Sequence, residues 1–212
     1  MFTKPSSYTD VLLDPSVAKD IDDIVANRIH FPSHKKGILL HGPCGTGKST
    51  LATLLPEAID HTRGGVNKPV PSHFGIRSGG NSTALLSSLT NISRTMPLIG
   101  SAHQYIILDE LDNLGASAMS SLKTVIDEGE AIILMTTNKI AAIDIAVKSR
   151  SHVFHIGAAP PHLWAAKAIA AFTVAGKQNI PTQDRVEQLV ATCRGDTREI
   201  LDQLEKMKND LR

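Results

Sequence analysis

Short unbroken apolar runs alternate with segments of helical period along the first three quarters of this 212-residue chain. Gly37–Leu40, Tyr105–Leu108, Ala131–Met135 and Val153–Ile156 each read as a strand, and their aliphatic continuity suits burial on both faces. Between them, Leu85, Leu89 and Ile92 share one face of a helix over Ser82–Arg94. Met119, Leu122 and Ile126 do the same over Ala116–Glu128. A further helix is predicted from Lys48 to about Leu55, stopped by Pro56. The stretch His61–Ser72 is rich in Gly and Pro and reads as loop. Alternation of this kind predicts βαβ units and a mostly parallel sheet, an α/β fold.

Beyond Ala158-Ala159-Pro160-Pro161 the strand-like runs stop. Trp164, Ala168, Ala171 and Phe172 line one helical face, and Val186, Leu189, Val190 and Cys193 another. Asp196 to Glu199 has the form of a helix cap with an acid three residues on, and Ile200, Leu204 and Met207 continue that helix. The predicted division is therefore an α/β domain, residues 1–158, followed by a small three-helix domain, residues 159–212.

Between the first strand and the first helix lies Gly42-Pro43-Cys44-Gly45-Thr46-Gly47-Lys48-Ser49, followed by Thr50, which fits the phosphate-binding pattern G-x-x-x-x-G-K-[ST]. Glycines let successive backbone N–H groups converge on an anion, and the helix N-terminus adds positive potential. Lys48 is placed to reach the β- and γ-phosphates of ATP and Ser49 to ligate Mg²⁺. The strand Tyr105–Leu108 ends in Asp109 and Glu110. Asp109 is the second candidate Mg²⁺ ligand, and Glu110 the residue that orients the attacking water. The strand Ala131–Met135 runs into Thr136, Thr137 and Asn138, and an Asn amide there is near enough to a γ-phosphate to position water. The other reading of Asn138 is a turn residue after a strand.

Taken together these residues resemble an AAA+ ATPase, and within that family the small subunits of sliding-clamp loaders. Asp109-Glu110-Leu111-Asp112 is similar to the family's D-E-x-D, and Ser149-Arg150-Ser151 resembles S-R-C with Ser in place of Cys. Ala118 and Leu122-Lys123 fall where the family has A-x-x-A-L-R, and Gly195-Asp196-Thr197-Arg198 resembles G-D-x-R. The resemblance implies that the three C-terminal helices form a lid. It makes Asn138 a sensor of the γ-phosphate and Arg198 a second sensor from the lid. Arg150 becomes an arginine finger inserted into a neighbouring subunit, and Val11, with Lys4-Pro5, part of the adenine pocket. It implies assembly with itself or homologous subunits in a ring or open spiral, with DNA and a sliding clamp or another replication protein as candidate partners. On residue chemistry alone, Arg150 also reads as a surface arginine, and Arg198 as a partner for Glu199 or Asp196. The family's helical collar has no counterpart before Arg212, and His73–Asn81, with its Gly79-Gly80, matches the family's second strand loosely.

Composition narrows the targets. With 42% hydrophobic and 20% charged residues the chain reads as an ordinary globule. Its net charge of +1 gives no global pull toward nucleic acid or membrane. DNA contact would rest on local residues: the resemblance implies that the helix near 116–127 and the start of the Ser82 helix line a central channel, which makes Lys123, Arg77 and the Ser82/Thr83 pair candidates, and the same residues also read as a solvated face. Aromatics at 4% argue against a threading pore. Two distant cysteines, Cys44 and Cys193, give no disulfide framework, and Cys44 is expected to be inert packing, or open to modification if exposed. Of nine histidines the closest pairs are His30/His34 and His152/His155, without a cysteine or carboxylate at ligand spacing. The N-terminal residues lack an apolar core of signal-peptide length, and a cytoplasmic location is expected. The expected function is ATP hydrolysis coupled to assembly on, or remodelling of, a DNA replication complex. The alternatives are a helicase loader, transposition regulator or protein remodeller, and a nucleotide-gated scaffold with little turnover.

Overall fold

A computed structural model describes residues 4–78, 82–97 and 100–211. Five parallel strands form one sheet: β1 (Gly37–His41), β2 (Ser72–Gly75), β3 (Tyr105–Asp109), β4 (Ile132–Thr137) and β5 (Ser151–His155). Their spatial order is β2-β3-β4-β1-β5. All six residues of β4 are buried, as are the first four of β1 and β3, so aliphatic side chains are needed on both faces. Because all strands run the same way, His41, Asp109 and Thr137 finish at one edge of the sheet. The register pairs His41 with Thr137 on β4 and with His155 on β5. Loops leaving that edge form a crevice in folds of this kind.

The helices cover both faces. On one side α1 (Pro15–Val25) and α2 (Lys48–Thr62) bury Ile21, Ile24, Leu51, Leu55 and Ile59 against Ile38, Leu40 and Ile107. On the other, α3 (Ser82–Ser93), α4 (Ala116–Glu128) and α5 (Ile145–Ser149) bury Leu89, Met119, Leu122 and Val147 against Leu39, Leu108 and Ile133. A third apolar cluster lies among α6 (Pro161–Val174), α7 (Gln183–Thr192) and α8 (Thr197–Asp210), built on Trp164, Phe172, Val186 and Leu204. Asp196 caps α8 by accepting from the Arg198 N–H at 2.9 Å. Gly79, Gly80 and Asn81 lie outside the described residues.

The strand and helix pattern missed three elements and misjudged a fourth. Helix α1 begins with Asp14 as N-cap and Pro15 in its first turn, both ordinary start signals. Strand β2 lies partly in a stretch read as loop and loosely matched. Helix α5 is only five residues long. Helix α2 does not stop before Pro56 but runs through it to Thr62. An interior proline costs about 3 kcal/mol. Burial of Leu55 and Ile59 in the core against the sheet, each worth about 1.5–3 kcal/mol, outweighs that cost.

The extended end of α2 carries two polar anchors. The Asp60 carboxylate is 1% exposed and accepts from Ser101 Oγ and the Ala102 and His103 N–H groups at 3.0–3.1 Å. The Arg63 guanidinium donates to the Ile24 and Val25 carbonyls at 2.6 Å and to Phe31 O, closing the C-terminal end of α1. Asp60→Ala would take the acceptor from the half-buried Ala102 and His103 N–H groups, at about 1–3 kcal/mol each. Urea denaturation of Asp60→Ala is therefore expected to show a marked fall in midpoint at unchanged slope, and Asp60→Asn, which keeps one acceptor, a smaller one.

Candidate nucleotide site

The crevice at the strand ends is a cleft of about 800 Å³, within the range of small-molecule sites. Its floor is the loop after β1. Gly42 has φ 151°, and a Cβ there would stand 2.2 Å from the Ile156 carbonyl oxygen, so no other residue fits. Gly45, at φ 78°, faces Asp196, and its carbonyl accepts from the Thr197 N–H at 2.8 Å. The start of α8 thus rests directly on the loop. Residues Cys44 to Thr50 line the cleft, while Gly42 and Pro43 lie behind it. Helix α2 opens at Lys48, so its first-turn N–H groups are available to an anion.

Lys48 is 6% exposed and folds back on its own loop, with Nζ donating to Gly42 O at 3.0 Å and Pro43 O at 2.5 Å. Burial pushes its pKa below the ordinary lysine value, partly offset by Cys44, Asp109 and Asp112. Ser49 Oγ donates to Asp109 Oδ1 at 2.8 Å. The Thr136 hydroxyl also donates to that oxygen in a short hydrogen bond and accepts from the Glu110 N–H at 3.1 Å. Thr136 therefore ties both acids to the end of β4. Glu110 has φ 60°, in the left-handed region that non-glycine residues occupy at a cost of about 1 kcal/mol or more. Its Oε2 accepts from Asn113 Nδ2 at 3.2 Å, which also donates to Ile76 O at 3.0 Å.

Asn138 lines the cleft. Its backbone N–H and the Thr137 hydroxyl both donate to Asp112 Oδ1, at 3.1 and 2.9 Å. The third acid of D-E-L-D thus works on the neighbouring strand end. Val11, Lys4 and Pro5 line the far end of the cleft, with Lys167 of α6, whose Nζ donates to Asp10 O at 2.6 Å. Arg198 lines the cleft from α8, and its guanidinium makes no ion pair with Glu199 or Asp196. Arg150 does not line it. That residue caps α5, with Nε donating to Asp127 Oδ1 at 2.6 Å and Nη1 to Ala146 O at 3.0 Å. The pair holds the Asp127 carboxyl below its usual range and raises the guanidinium. Cys44 is exposed in the loop and is not the inert packing residue expected. Lys123, Arg77 and Thr83 are exposed outside the cleft.

Residues 38–157 match the AAA family, the ATPase family associated with various cellular activities. The chain belongs to that family. Over 151 residues, 69% of its length, this AAA protein is 26% identical to the replication factor C large subunit of Methanococcoides burtonii. Across 95% of its length it is 23% identical to the replication-associated recombination protein A of Bacillus subtilis. The chain spans 29% and 46% of those two proteins. It superposes on the RuvB Holliday junction branch migration motor of Thermotoga maritima with a TM-score of 0.72 at 15% identity, covering 99% of this chain and 66% of that one. That likeness is one of fold.

The pattern of acids and hydroxyls in this AAA protein was half visible in its sequence. Asp109, Glu110 and Ser49 followed from motifs. Thr136, Asn113 and Asp112 were not legible as site residues, since each bonds across strands or loops in a way that spacing does not encode. No helix among the described residues is long and apolar enough to cross a membrane.

Thr136→Val removes the hydroxyl between the two acids. A hydrogen bond to a charged group is worth about 1.5–3 kcal/mol, or about 10–100-fold in rate. Any nucleotide turnover of the valine variant is expected to fall by such a factor, with nucleotide affinity changed far less, as read by steady-state kinetics beside a binding titration.

Proposed function

We propose that this chain binds MgATP in the cleft and hydrolyses it, and that the reaction drives assembly on a DNA replication complex. The observation that carries this reading is the hydrogen-bonded set Ser49–Asp109–Thr136–Glu110 facing a buried lysine at the start of a helix. Glycine-loop N–H groups and Lys48 would hold the β- and γ-phosphates, the ammonium exchanging its two loop carbonyls for phosphate oxygens. Ser49 and Asp109 are hard oxygen donors 2.8 Å apart and fit Mg²⁺, which keeps several waters. When bound, that ion neutralises phosphate charge and orients the leaving group.

Glu110 would accept a proton from water as the water oxygen bonds to the γ-phosphorus. The bond from the γ-phosphorus to the β–γ bridging oxygen breaks, and ADP and phosphate leave. Asn138 would position that water, and Arg198 would contact the γ-phosphate from α8. Val11 and Lys4-Pro5 would flank adenine. In this reading residues 1–158 form the catalytic domain and 159–212 a lid, coupled by the Thr197–Gly45 hydrogen bond. Arg150, which points away from its own cleft, would serve the cleft of a neighbouring subunit once it leaves Asp127, so the competent state is an oligomer. The replication target is supported by the names of the two curated relatives. Lys123, Arg77 and the start of α3 are the candidate DNA contacts.

The test is phosphate release across protein concentrations, with and without primed DNA. Turnover is expected to rise faster than linearly with concentration and to be stimulated by DNA. Lys48→Ala and Arg150→Ala are each expected to abolish it. Mixed together they should regain activity, because the first still donates Arg150 and the second still binds ATP. A mixture no more active than its parts would remove the trans arginine, and wild-type turnover indifferent to DNA would remove the replication target.

A further inference from the structure

The ends of β1 and β5 carry a feature that the nucleotide chemistry does not use. His41 and His155 occupy the same register position on adjacent parallel strands, so both imidazoles leave the same face of the sheet. Their ring centroids are 5.1 Å apart with the planes at 47°. Zn–N bonds of about 2.0–2.1 Å put ligating ring centroids about 3.2 Å from the ion, and two such rings at a tetrahedral angle lie about 5 Å apart. His152, three residues before His155 and its apparent partner in the sequence, instead stacks edge-on against Phe31 with centroids 5.5 Å apart.

The donor state also suits a metal. Burial, then His155, Lys148 and Lys48, hold His41 below the ordinary histidine pKa, so its ring is neutral near pH 7 with a lone pair available. No hydrogen bond to either ring occurs among the described residues, so no partner has to be displaced. His41 is half-buried and His155 exposed, which leaves an entry path and room for water.

We infer that His41 and His155 form a two-imidazole chelate for a borderline transition-metal ion of the Zn²⁺, Cu²⁺ or Ni²⁺ class, with water in the remaining positions. Neutral imidazole selects these ions over Mg²⁺ and Ca²⁺, so the site is chemically separate from the oxygen donors of the nucleotide cleft. Among the described residues no group of three or more His, Cys, Asp or Glu could hold a metal ion, so the two imidazoles are the protein ligands proposed. Its position gives it a mechanical consequence. The Ile156 N–H donates to the His41 carbonyl at 2.7 Å, and Gly42, the next residue, opens the phosphate loop and abuts Ile156. An ion bridging the rings pins that junction.

The experiment is a Zn²⁺ titration of nucleotide-free, chelator-treated protein against a chromophoric competitor. A Cys44→Ser background excludes capture by the loop thiol. One equivalent is expected to bind, with affinity reduced at least tenfold in His41→Gln and in His155→Gln and unchanged in a His30→Gln/His34→Gln control. Thermal melts of the apo variants confirm that they fold. Amide exchange read with and without Zn²⁺ should show added protection at Ile156 and Gly42. Affinity that survives either single substitution, affinity lost in the His30/His34 control, or binding without protection at Ile156 would each overturn the site. None of these readouts depends on ATP turnover.

Discussion

Strand β4 stands between the phosphate loop and the acidic pair, and the cleft depends on its being buried along its whole length. Because β1 and β3 are not neighbours, neither Lys48 nor Asp109 could find the other without a strand to space them. Six consecutive buried residues allow that strand no polar side chain except where a partner satisfies it. Thr136 and Thr137 meet this condition by bonding Asp109, Glu110 and Asp112. The requirement to satisfy two buried hydroxyls and the requirement to hold the acids are thus one constraint. It explains why the polar end of β4 sits on the cleft edge and nowhere else in the strand.

Two restraints hold charged side chains that line the cleft. Lys48 is kept by carbonyls of its own loop, and Glu110 by Asn113 in a left-handed backbone conformation. An anion in the loop would compete with the two carbonyls for the Lys48 ammonium. Asn113 also binds the Ile76 carbonyl at the end of β2, which links Glu110 to the segment leading into α3. The Thr197 hydrogen bond to Gly45 and the contact of Asp196 with the same glycine make the start of α8 sensitive to any shift of the loop. Arg150 is held in the same manner by Asp127 in the last turn of α4.

The rest of the framework explains why the loop can be so glycine-rich. Helix α2 is anchored at its far end by Asp60 and Arg63, which bind three other parts of the chain through backbone groups. A helix held at its C-terminal end and packed along its length can present an unencumbered N-terminus. Conformational freedom in Gly42, Gly45 and Gly47 is then confined to a few residues between two rigid elements.

The sequence by itself determined what is local. Unbroken aliphatic runs specified β1, β3 and β4, because burial on both faces leaves a mark at every position, while the apolar run at the edge strand β5 was legible although Val153 and His155 are exposed. The glycine-rich loop was legible because its glycines, lysine and serine lie within eight consecutive residues. Asp109 and Glu110 were legible as acids ending a strand. The tertiary structure alone decided strand order, and with it every contact across strands: Thr136 between the acids, Asp112 under Asn138, Asn113 on Glu110 and His41 beside His155. It also carried α2 through Pro56, since the packing energy that outweighs a proline comes from residues far away in sequence. The same holds for Arg150, whose sequence motif says nothing of Asp127. Periodicity records which face of an element is buried, but it does not record which element lies against that face, and these polar pairings are set by that neighbour.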